Sequence, residues 1–304
     1  MKLGIKVGPR QESIADLEET KAQFCEVWFQ INNISDYDEL FAYLQSHHID
    51  TGLHFWGLTK DGAFPSLAYD DPASLSESMD LIQKTIDCAS DRSFSYVNIH
   101  PGYRRKISVE YKSLTFSKNK GHIVPYEEAT VHFLDCMRQL TLYAKQKNVL
   151  LTVETTPIRL PIGSVHDTGN RRQVQDVAEY SYCDLPLSML NFALANDFGH
   201  TAANYISEDP KPVWDFLFQK TIAYAPKTRL LHLGYIVPPY NGSDFHDQLD
   251  NPLFDSVQAI PNKNQIMELM KLFKNRDDVY ALAEPNGQHP KNYFLAKKLL
   301  ESIL

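Results

Sequence analysis

Six short apolar runs in the sequence each lead to a side chain that can bind a metal ion. These side chains are His54, His100, Glu154, Asp197, His232 and Glu284. His200 follows one of the runs, and Asp244 and His246 form a further pair in a later connection. A single carboxylate or histidine in such a place usually caps a turn or a helix. Six in succession indicate several strands that point toward one place.

Glu154, Asp197, His232 and Glu284 form the central group of this set. Three carboxylates and one imidazole suit Mn²⁺ or Zn²⁺ first, with Mg²⁺ or Co²⁺ as further candidates. No cysteine belongs to the group, so it is more typical of a catalytic metal with open positions than of a closed structural zinc. A metal of this kind can polarise a carbonyl or lower the pKa of a bound water to about 7.

Eight strand-like runs alternate with helical patterns along the chain, which predicts an α/β fold, a single (β/α)8 TIM barrel domain over residues 1–304. The strands of such a barrel share a C-terminal rim, where active sites lie. Three long connections, 102–125, 157–186 and 234–261, each follow a strand that carries a candidate ligand. Loops of this length are usually functional, so we expect them to lie over the rim and shape a substrate pocket.

The composition favours a small-molecule substrate over a nucleic acid. The formal net charge is -8, whereas phosphate binding relies on lysine and arginine. A local basic patch stays compatible with this charge. Arg104, Arg105 and Lys106 could meet a phosphate, although solvated loop charges are the commoner case.

The cysteines and the N-terminal segment bear on the cellular compartment. The cysteines are widely spaced, form no CxxC pair and are predicted to be buried free thiols: Cys25, Cys88, Cys136 and Cys183. The N-terminal MKLGIKVGPR lacks the apolar stretch of a signal peptide, and no segment reaches the ~20 apolar residues of a membrane span. These features predict a cytoplasmic protein with no membrane partner. A homo-oligomer is left open.

Several short strings resemble the xylose isomerase-like barrel superfamily, which contains sugar phosphate isomerases and epimerases as well as endonuclease IV. They are NIHPG (98–102), VETTP (153–157), DFGHTAA (197–203), HLGY (232–235), NGSDFH (241–246) and AEPNG (283–287). The resemblance implies that Glu154, Asp197, His232 and Glu284 are the shared metal ligands. In the isomerase and epimerase branch it also gives Glu154 and Glu284 the transfer of protons to and from the substrate carbon.

The two branches of the superfamily imply different roles for the remaining residues. In the isomerase branch His200 resembles a residue that holds the substrate, and we expect His54, His100 and Trp56 beside it, where Trp56 either stacks on a sugar face or simply packs. In the endonuclease IV branch His54, His100 and Glu154 would hold one zinc ion, and the central group a second. His200, Asp244 and His246 would then hold a third.

Three departures weigh against the hydrolase branch. The residues after His232 read Leu-Gly-Tyr-Ile-Val-Pro-Pro, where many relatives carry an Asp or Asn. The stretch 247–252 replaces a glycine-rich segment, and the arginine of the endonuclease signature is missing. The sequence therefore predicts a metal-dependent isomerase or epimerase acting on a sugar, sugar phosphate or related polyol. The alternatives are a zinc-dependent phosphodiester hydrolase and a non-catalytic barrel that binds a partner through its loops.

Overall fold

The computed structural model describes residues 1–111, 113, 115–118, 121–162, 173–243, 245 and 247–303. The strands are β1 (Lys2–Leu3), β2 (Ile5–Val7), β3 (Phe24–Gln30), β4 (Asp50–Trp56), β5 (Tyr96–Ile99), β6 (Ile107–Glu110), β7 (Thr115–Lys118), β8 (Leu150–Glu154), β9 (Leu160–Pro161), β10 (Val174–Gln175), β11 (Ala193–Asp197), β12 (Thr228–His232) and β13 (Tyr280–Leu282). The α-helices are α1 (Glu12–Thr20), α2 (Asp38–Ser46), α3 (Pro72–Asp91), α4 (Tyr126–Gln146), α5 (Phe198–Ala202), α6 (Pro210–Tyr224), α7 (Lys263–Lys271) and α8 (His289–Glu301).

Nine of these strands pair in parallel in the order β1-β13-β12-β11-β8-β5-β4-β3-β2. Segments β1 and β2 are two halves of one N-terminal strand, interrupted at Gly4. The first half pairs with β13 and the second with β3, so this strand closes the sheet on itself. The sequence prediction of a (β/α)8 barrel is confirmed.

Residues on the strands alternate between the barrel interior and the surrounding helices. In β3, Cys25, Val27 and Phe29 belong to the large core beneath the helices, whereas Phe24 belongs to a small cluster inside the barrel. A Cβ on Gly52 would lie 2.0 Å from the ring of Tyr96, so this glycine leaves room for that ring. We call Phe24, Tyr96 and Tyr280 the aromatic floor, with centroids 4.6 Å apart for Phe24–Tyr280 and 5.1 Å for Tyr96–Tyr280.

The long connections carry small elements that periodicity did not reveal. Strands β6 and β7 form an antiparallel hairpin after β5, and β9 pairs with β10 after β8. In the described part of the connection between β8 and β11, the helical structure is a single 3-10 turn, Leu187–Met189, where a regular barrel has an α-helix. The connection after β12 contains the 3-10 helix Pro252–Asp255.

The four cysteines are free and buried, as the sequence predicted. Among the described residues, none of the helices combines the length and the apolarity that crossing a bilayer requires.

Candidate metal centre

The candidate ligands belong to the inward-facing register of the barrel strands. Glu154, Asp197 and His232 are the last residues of β8, β11 and β12, and Glu284 lies two residues beyond β13. His54 corrects one detail of the sequence analysis, because β4 continues past it to Trp56. Since residues at every second position share a face of a strand, the inward position of His54 follows from its register rather than from a strand end.

The structure brings the central group together. One ligand atom from each of Glu154, Asp197, His232 and Glu284 lies within 4.8 Å of the others. The Nδ1 atom of His232 is 3.2 Å from Glu154 Oε1, 3.1 Å from Glu284 Oε2 and 3.8 Å from Asp197 Oδ2. A buried imidazole nitrogen that faces three carboxylates is an arrangement that a divalent cation would stabilise.

Two buried atoms at this position lack hydrogen-bond partners. His232 Nδ1 and Glu154 Oε1 are both enclosed and make no hydrogen bond. A buried polar atom without a partner costs on the order of 1–3 kcal/mol. A cation between these two atoms would remove that cost, so the residues present fit a divalent metal. The other nitrogen of His232, Nε2, is likewise buried without a hydrogen bond, and it lies 3.1 Å from Glu26 Oε1, where an outer carboxylate could orient a ligating histidine.

The charged residues of the central group shift one another's pKa values. Burial raises the pKa of Glu154, but the histidines around it lower it by more, so the net shift is well below the ordinary value. Burial likewise raises the pKa of Glu284, but His232 and Lys6 lower it by more, so its net shift is also well below the ordinary value. Burial lowers the pKa of His232, whereas the three glutamates around it raise it well above its ordinary value. The two glutamates are therefore held ionised, which is the form that binds a metal, whereas His232 is held protonated and would release a proton when a metal binds.

A supporting layer fixes the orientation of the central carboxylates. Asn98 donates to Glu154 Oε2 at 2.5 Å, and Thr152 in turn donates to Asn98 at 2.9 Å. The backbone N–H of His200 donates to Asp197 Oδ1 at 2.8 Å, because Asp197 also caps the short helix α5. The ring of His200 contacts the Thr155 carbonyl through Nδ1 at 2.8 Å.

His54 and His100 form a second group with Glu154. Their Nε2 atoms are 3.2 Å apart, and they lie 3.4 Å and 3.7 Å from the carboxylate oxygens of Glu154. These three residues also offer ligand atoms within 4.8 Å of one another. Asp244 and His246, predicted as partners of His200 in a third site, lie outside the described residues, so that prediction stays open.

Sequence analysis missed Lys6, Glu26, Trp28 and His289. Lys6 and Glu26 are register partners on β2 and β3, and both point into the barrel. A charged residue in the middle of a short apolar strand was the available signal, because a strand of a closed barrel is buried on both faces. The analysis had considered strand ends alone.

A cavity of about 410 Å³ opens over the centre and is lined by residues that include Lys6, Trp28, Trp56, His100, Glu284 and His289. Its volume falls within the range of about 300–1,000 Å³ that is typical of small-molecule sites. The rings of Trp28 and Trp56 are 5.8 Å apart, and Trp56 lies 5.7 Å from His100. The two tryptophans thus line the cavity together with Glu284 of the central group.

The basic residues after His100 contact other parts of the loops. Lys106 pairs with Asp61 at 2.8 Å, and Arg104 donates to the Val124 carbonyl at 3.0 Å. Both side chains are thus engaged by loop residues rather than fully solvated, and a role for them in phosphate binding stays a prediction.

No protein-family model and no curated protein matches the chain. Solved structures do. A D-tagatose 3-epimerase-like protein is 14% identical, with a TM-score of 0.62 over 100% of this chain and 98% of that one. An L-ribulose 3-epimerase is 11% identical, with a TM-score of 0.64 over 100% and 96%. Endonuclease IV from Thermus thermophilus is 14% identical, with a TM-score of 0.58 over 99% and 100%.

These similarities cover the whole length of the chain, and they establish its fold. The barrel fold that the resemblance of the short sequence strings implied is therefore confirmed. At such low sequence identity a shared fold does not establish a shared reaction, since the same barrel supports many different chemistries. The activity has to be argued from the site.

Proposed function

We propose that the protein is a divalent-metal-dependent epimerase or isomerase acting on a sugar, a sugar phosphate or a related polyol. The observation that carries the proposal is that Glu284 belongs to the central ligand group and also lines the cavity. A carboxylate in both positions can reach a substrate carbon next to the metal. The epimerases among the structural neighbours are consistent with this chemistry.

Glu284 is better placed than Glu154 to take a proton from the substrate. The side chain of Glu284 is 11% exposed, whereas that of Glu154 is 0% exposed and holds Asn98 through Oε2. Lys6 pairs with Glu284 Oε1, which keeps this carboxylate ionised. Glu284 would therefore remove the proton from the substrate carbon. Glu154 would act as a metal ligand and as the second carboxylate in the proton transfer.

The other residues of the cavity suit a small polyhydroxylated molecule. A bound divalent cation would supply a Lewis acid that polarises a substrate carbonyl. His100 and His200 line the same cavity and offer ring nitrogens to hydroxyl groups, while Trp28 and Trp56 offer apolar faces. An aromatic face against the C–H side of a sugar, with polar groups on the opposite side, fixes the substrate and excludes water.

A phosphodiester hydrolase of the endonuclease IV type is the second candidate. The group of His54, His100 and Glu154 favours it, since a multi-metal hydrolase needs ligands for more than one cation. The formal charge of -8 disfavours it, because a DNA backbone is bound through lysine and arginine.

A direct assay separates the two candidates. The protein is loaded with Mn²⁺ or Zn²⁺ and incubated with a panel of ketoses and ketose phosphates, and in parallel with a duplex that contains an abasic site. We expect metal-dependent proton exchange at the carbon beside the carbonyl, seen as deuterium incorporation from D₂O and as an epimer or isomer. Metal-dependent nicking of the duplex at low enzyme concentration, without sugar turnover, would contradict the proposal.

The variant Glu284→Gln tests the proposed role of the carboxylate. Gln keeps the shape but loses the capacity to accept a proton, so turnover at saturating Mn²⁺ should fall by a factor of at least ~10². Glu268→Gln on the exposed face of α7 is the matched control and should retain full activity. Normal turnover by Glu284→Gln would show that Glu284 is not the base.

A further inference from the structure

Arg10 lies in the loop between β2 and α1 and lines the cavity over the candidate metal centre. Its side chain is 36% exposed, and its Nη2 atom contacts Asp16 Oδ2 at 3.2 Å. A guanidinium group has five N–H donors. Within the described part of the chain, this contact with Asp16 is the one ion pair of Arg10, so most of its donors are available to a bound molecule.

Arg10 differs in this respect from the other cation of the cavity. Among the described residues, two cationic side chains line the cavity, Lys6 and Arg10. The Nζ atom of Lys6 already contacts Glu26, His54 and Glu284, which matches the three N–H donors of an ammonium group. Arg10 is therefore the cation of this cavity that has donors to spare.

The shape of the guanidinium group favours one class of ligand. Its planar set of N–H donors matches the oxygens of a carboxylate or a phosphate and binds them through two parallel hydrogen bonds. The carboxylate of Asp16 contacts a single nitrogen and does not occupy the group in this way. A second anion therefore has a place on Arg10 beside Asp16.

His289 shows on which side of the cavity the charge of Arg10 acts. Burial, followed by the charges of Arg10 and Lys6, lowers the pKa of His289 to about 4, so this imidazole is neutral near pH 7. His289 lines the same cavity. The positive charge of Arg10 thus extends to the side that carries His289, where a neutral ring adds no repulsion to an anion.

The backbone on this side offers further hydrogen-bond donors. Gly287 has a φ of 104° and Gln288 a φ of 48°, and helix α8 begins at His289. In the part of the chain that the structure describes, the N–H groups of these three residues have no backbone acceptor. Gly287 and His289 line the cavity. Free amides of this kind are favourable neighbours for an anion that Arg10 binds.

Arg10 and the metal centre belong to one cavity. Glu284 of the central ligand group lines it together with Arg10, and its volume is about 410 Å³. A small molecule that fills this volume contacts both residues. One end of the molecule then lies at the candidate ligands and the other at the guanidinium group.

We propose that the substrate is an anionic sugar derivative, and that Arg10 binds its phosphate or carboxylate group while its carbonyl end lies at the metal centre. The inference rests on the proposed function and deepens it, because it narrows the substrate from any sugar or polyol to one that carries a negative charge. Arg10 is a substrate-binding residue that takes no part in proton transfer.

Equilibrium binding tests the inference without an assay of activity. Protein loaded with Mn²⁺ is titrated calorimetrically with D-fructose, D-fructose 6-phosphate and D-fructuronate, which share a ketose carbonyl and differ in the group at carbon 6. We expect at least one anionic probe to bind ~10-fold or more tightly than D-fructose. The probe that gains affinity identifies the group as a phosphate or a carboxylate. Anionic probes that bind no more tightly than D-fructose, or not at all, would overturn the inference.

The variant Arg10→Gln asks whether Arg10 causes the preference. It should bind the favoured anionic probe no more tightly than it binds D-fructose, and Arg10→Lys, which keeps the charge without the planar donors, should keep part of the preference. Arg138→Gln is the matched control, because Arg138 pairs with Asp135 at 3.1 Å on the exposed surface of α4 and does not line the cavity. A full preference in a folded Arg10→Gln protein would overturn the role of Arg10.

The outcomes separate this inference from the proposed function. Metal-dependent proton exchange in neutral ketoses, without any preference for the anionic probes, would refute the inference alone. A preference that disappears in Arg10→Gln, without proton exchange in any sugar, would refute the proposed function alone. A protein that binds none of the probes and turns over no sugar would refute both.

Discussion

Glu26, Glu154, Asp197 and Glu284 bring four carboxylates into the interior of one barrel. Isolated buried charges of one sign are costly, so the fold has to supply compensation. Lys6 supplies one positive charge, and the atoms left without partners at His232 and Glu154 mark where a further cation would lie. The site thus contains one cation that belongs to the protein, the Lys6 ammonium group, and a position for a metal ion.

His289 is a residue at which the same electrostatics predict a dependence of stability on pH. Burial, followed by the charges of Arg10 and Lys6, lowers the pKa of His289 to about 4. The unfolded chain binds this proton near pH 6.5 and the folded one does not, so stability is complete above pH 6.5 and falls as the pH drops toward 4.

The variant His289→Gln should therefore lose less stability on acidification than the wild type. Between pH 7 and pH 5 the difference in the free energy of unfolding should be up to about 2 kcal/mol. Denaturant unfolding of the metal-free proteins at both pH values measures it. Equal losses in the two proteins would show that His289 takes up its proton in the folded state as readily as in the unfolded state.

The residues that sequence analysis found and missed differ in one physical respect. Glu154, Asp197 and His232 are the last residues of their strands. A polar residue at the end of an apolar run is easily recognised in a sequence. Lys6 and Glu26 lie within strands, and their inward direction depends on the register of a closed barrel. That register is set by pairing with distant strands, such as Ile5 with Cys25, and a local pattern does not contain it.

At the scale of the strands, glycines determine how the aromatic floor fits beneath the site. Gly52 on β4 faces Tyr96 on β5, its register partner, and Tyr96 in turn donates to Glu26. The hydroxyl group of Tyr96 therefore links the aromatic floor to Glu26 and the charged residues around it. A larger side chain at position 52 should therefore disturb both the aromatic floor and the position of Glu26.

The variant Gly52→Ala tests this coupling. Its Cβ would meet the Tyr96 ring at 2.0 Å, so the ring has to move, and we expect a loss of about 1–3 kcal/mol of stability, typical of overpacking. Gly8→Ala is the matched control, because the nearest atoms to its Cβ are 3.9 Å away. Thermal unfolding of the metal-free proteins compares them. A Gly52→Ala protein as stable as Gly8→Ala would show that the interior is not tightly packed there.

The elements themselves were largely predictable, with informative exceptions. The helical patterns expected between the strands include a long one, which forms as the helix Tyr126–Gln146 with a mostly apolar buried face. The hairpin of β6 and β7 was not expected, because its strands are four residues long and pack on Phe64 from another loop and on Tyr103 from the start of the same connection. Short elements that depend on such distant contacts leave little periodicity in the sequence.

At the scale of the whole molecule, the central ligands come from four adjacent strands, β8, β11, β12 and the end of β13. A cation bound to all four would link parts of the chain that are 130 residues apart in sequence, from Glu154 to Glu284. Binding to the folded state alone stabilises it by mass action, by about 2.7 kcal/mol at 100 times the dissociation constant.

Removal of metal should therefore lower the melting temperature of the entire barrel. For a domain of this size the expected difference between Mn²⁺-saturated and chelator-treated protein is about 5 °C. His232→Gln removes the one imidazole of the group and should abolish most of this shift, while Asp255→Asn, on an exposed part of a 3-10 helix and outside the candidate ligand groups, should retain it. Because the stabilisation follows from binding and not from turnover, it can be measured by calorimetry before any substrate is known. A shift of equal size in His232→Gln would place the stabilising cation elsewhere in the molecule.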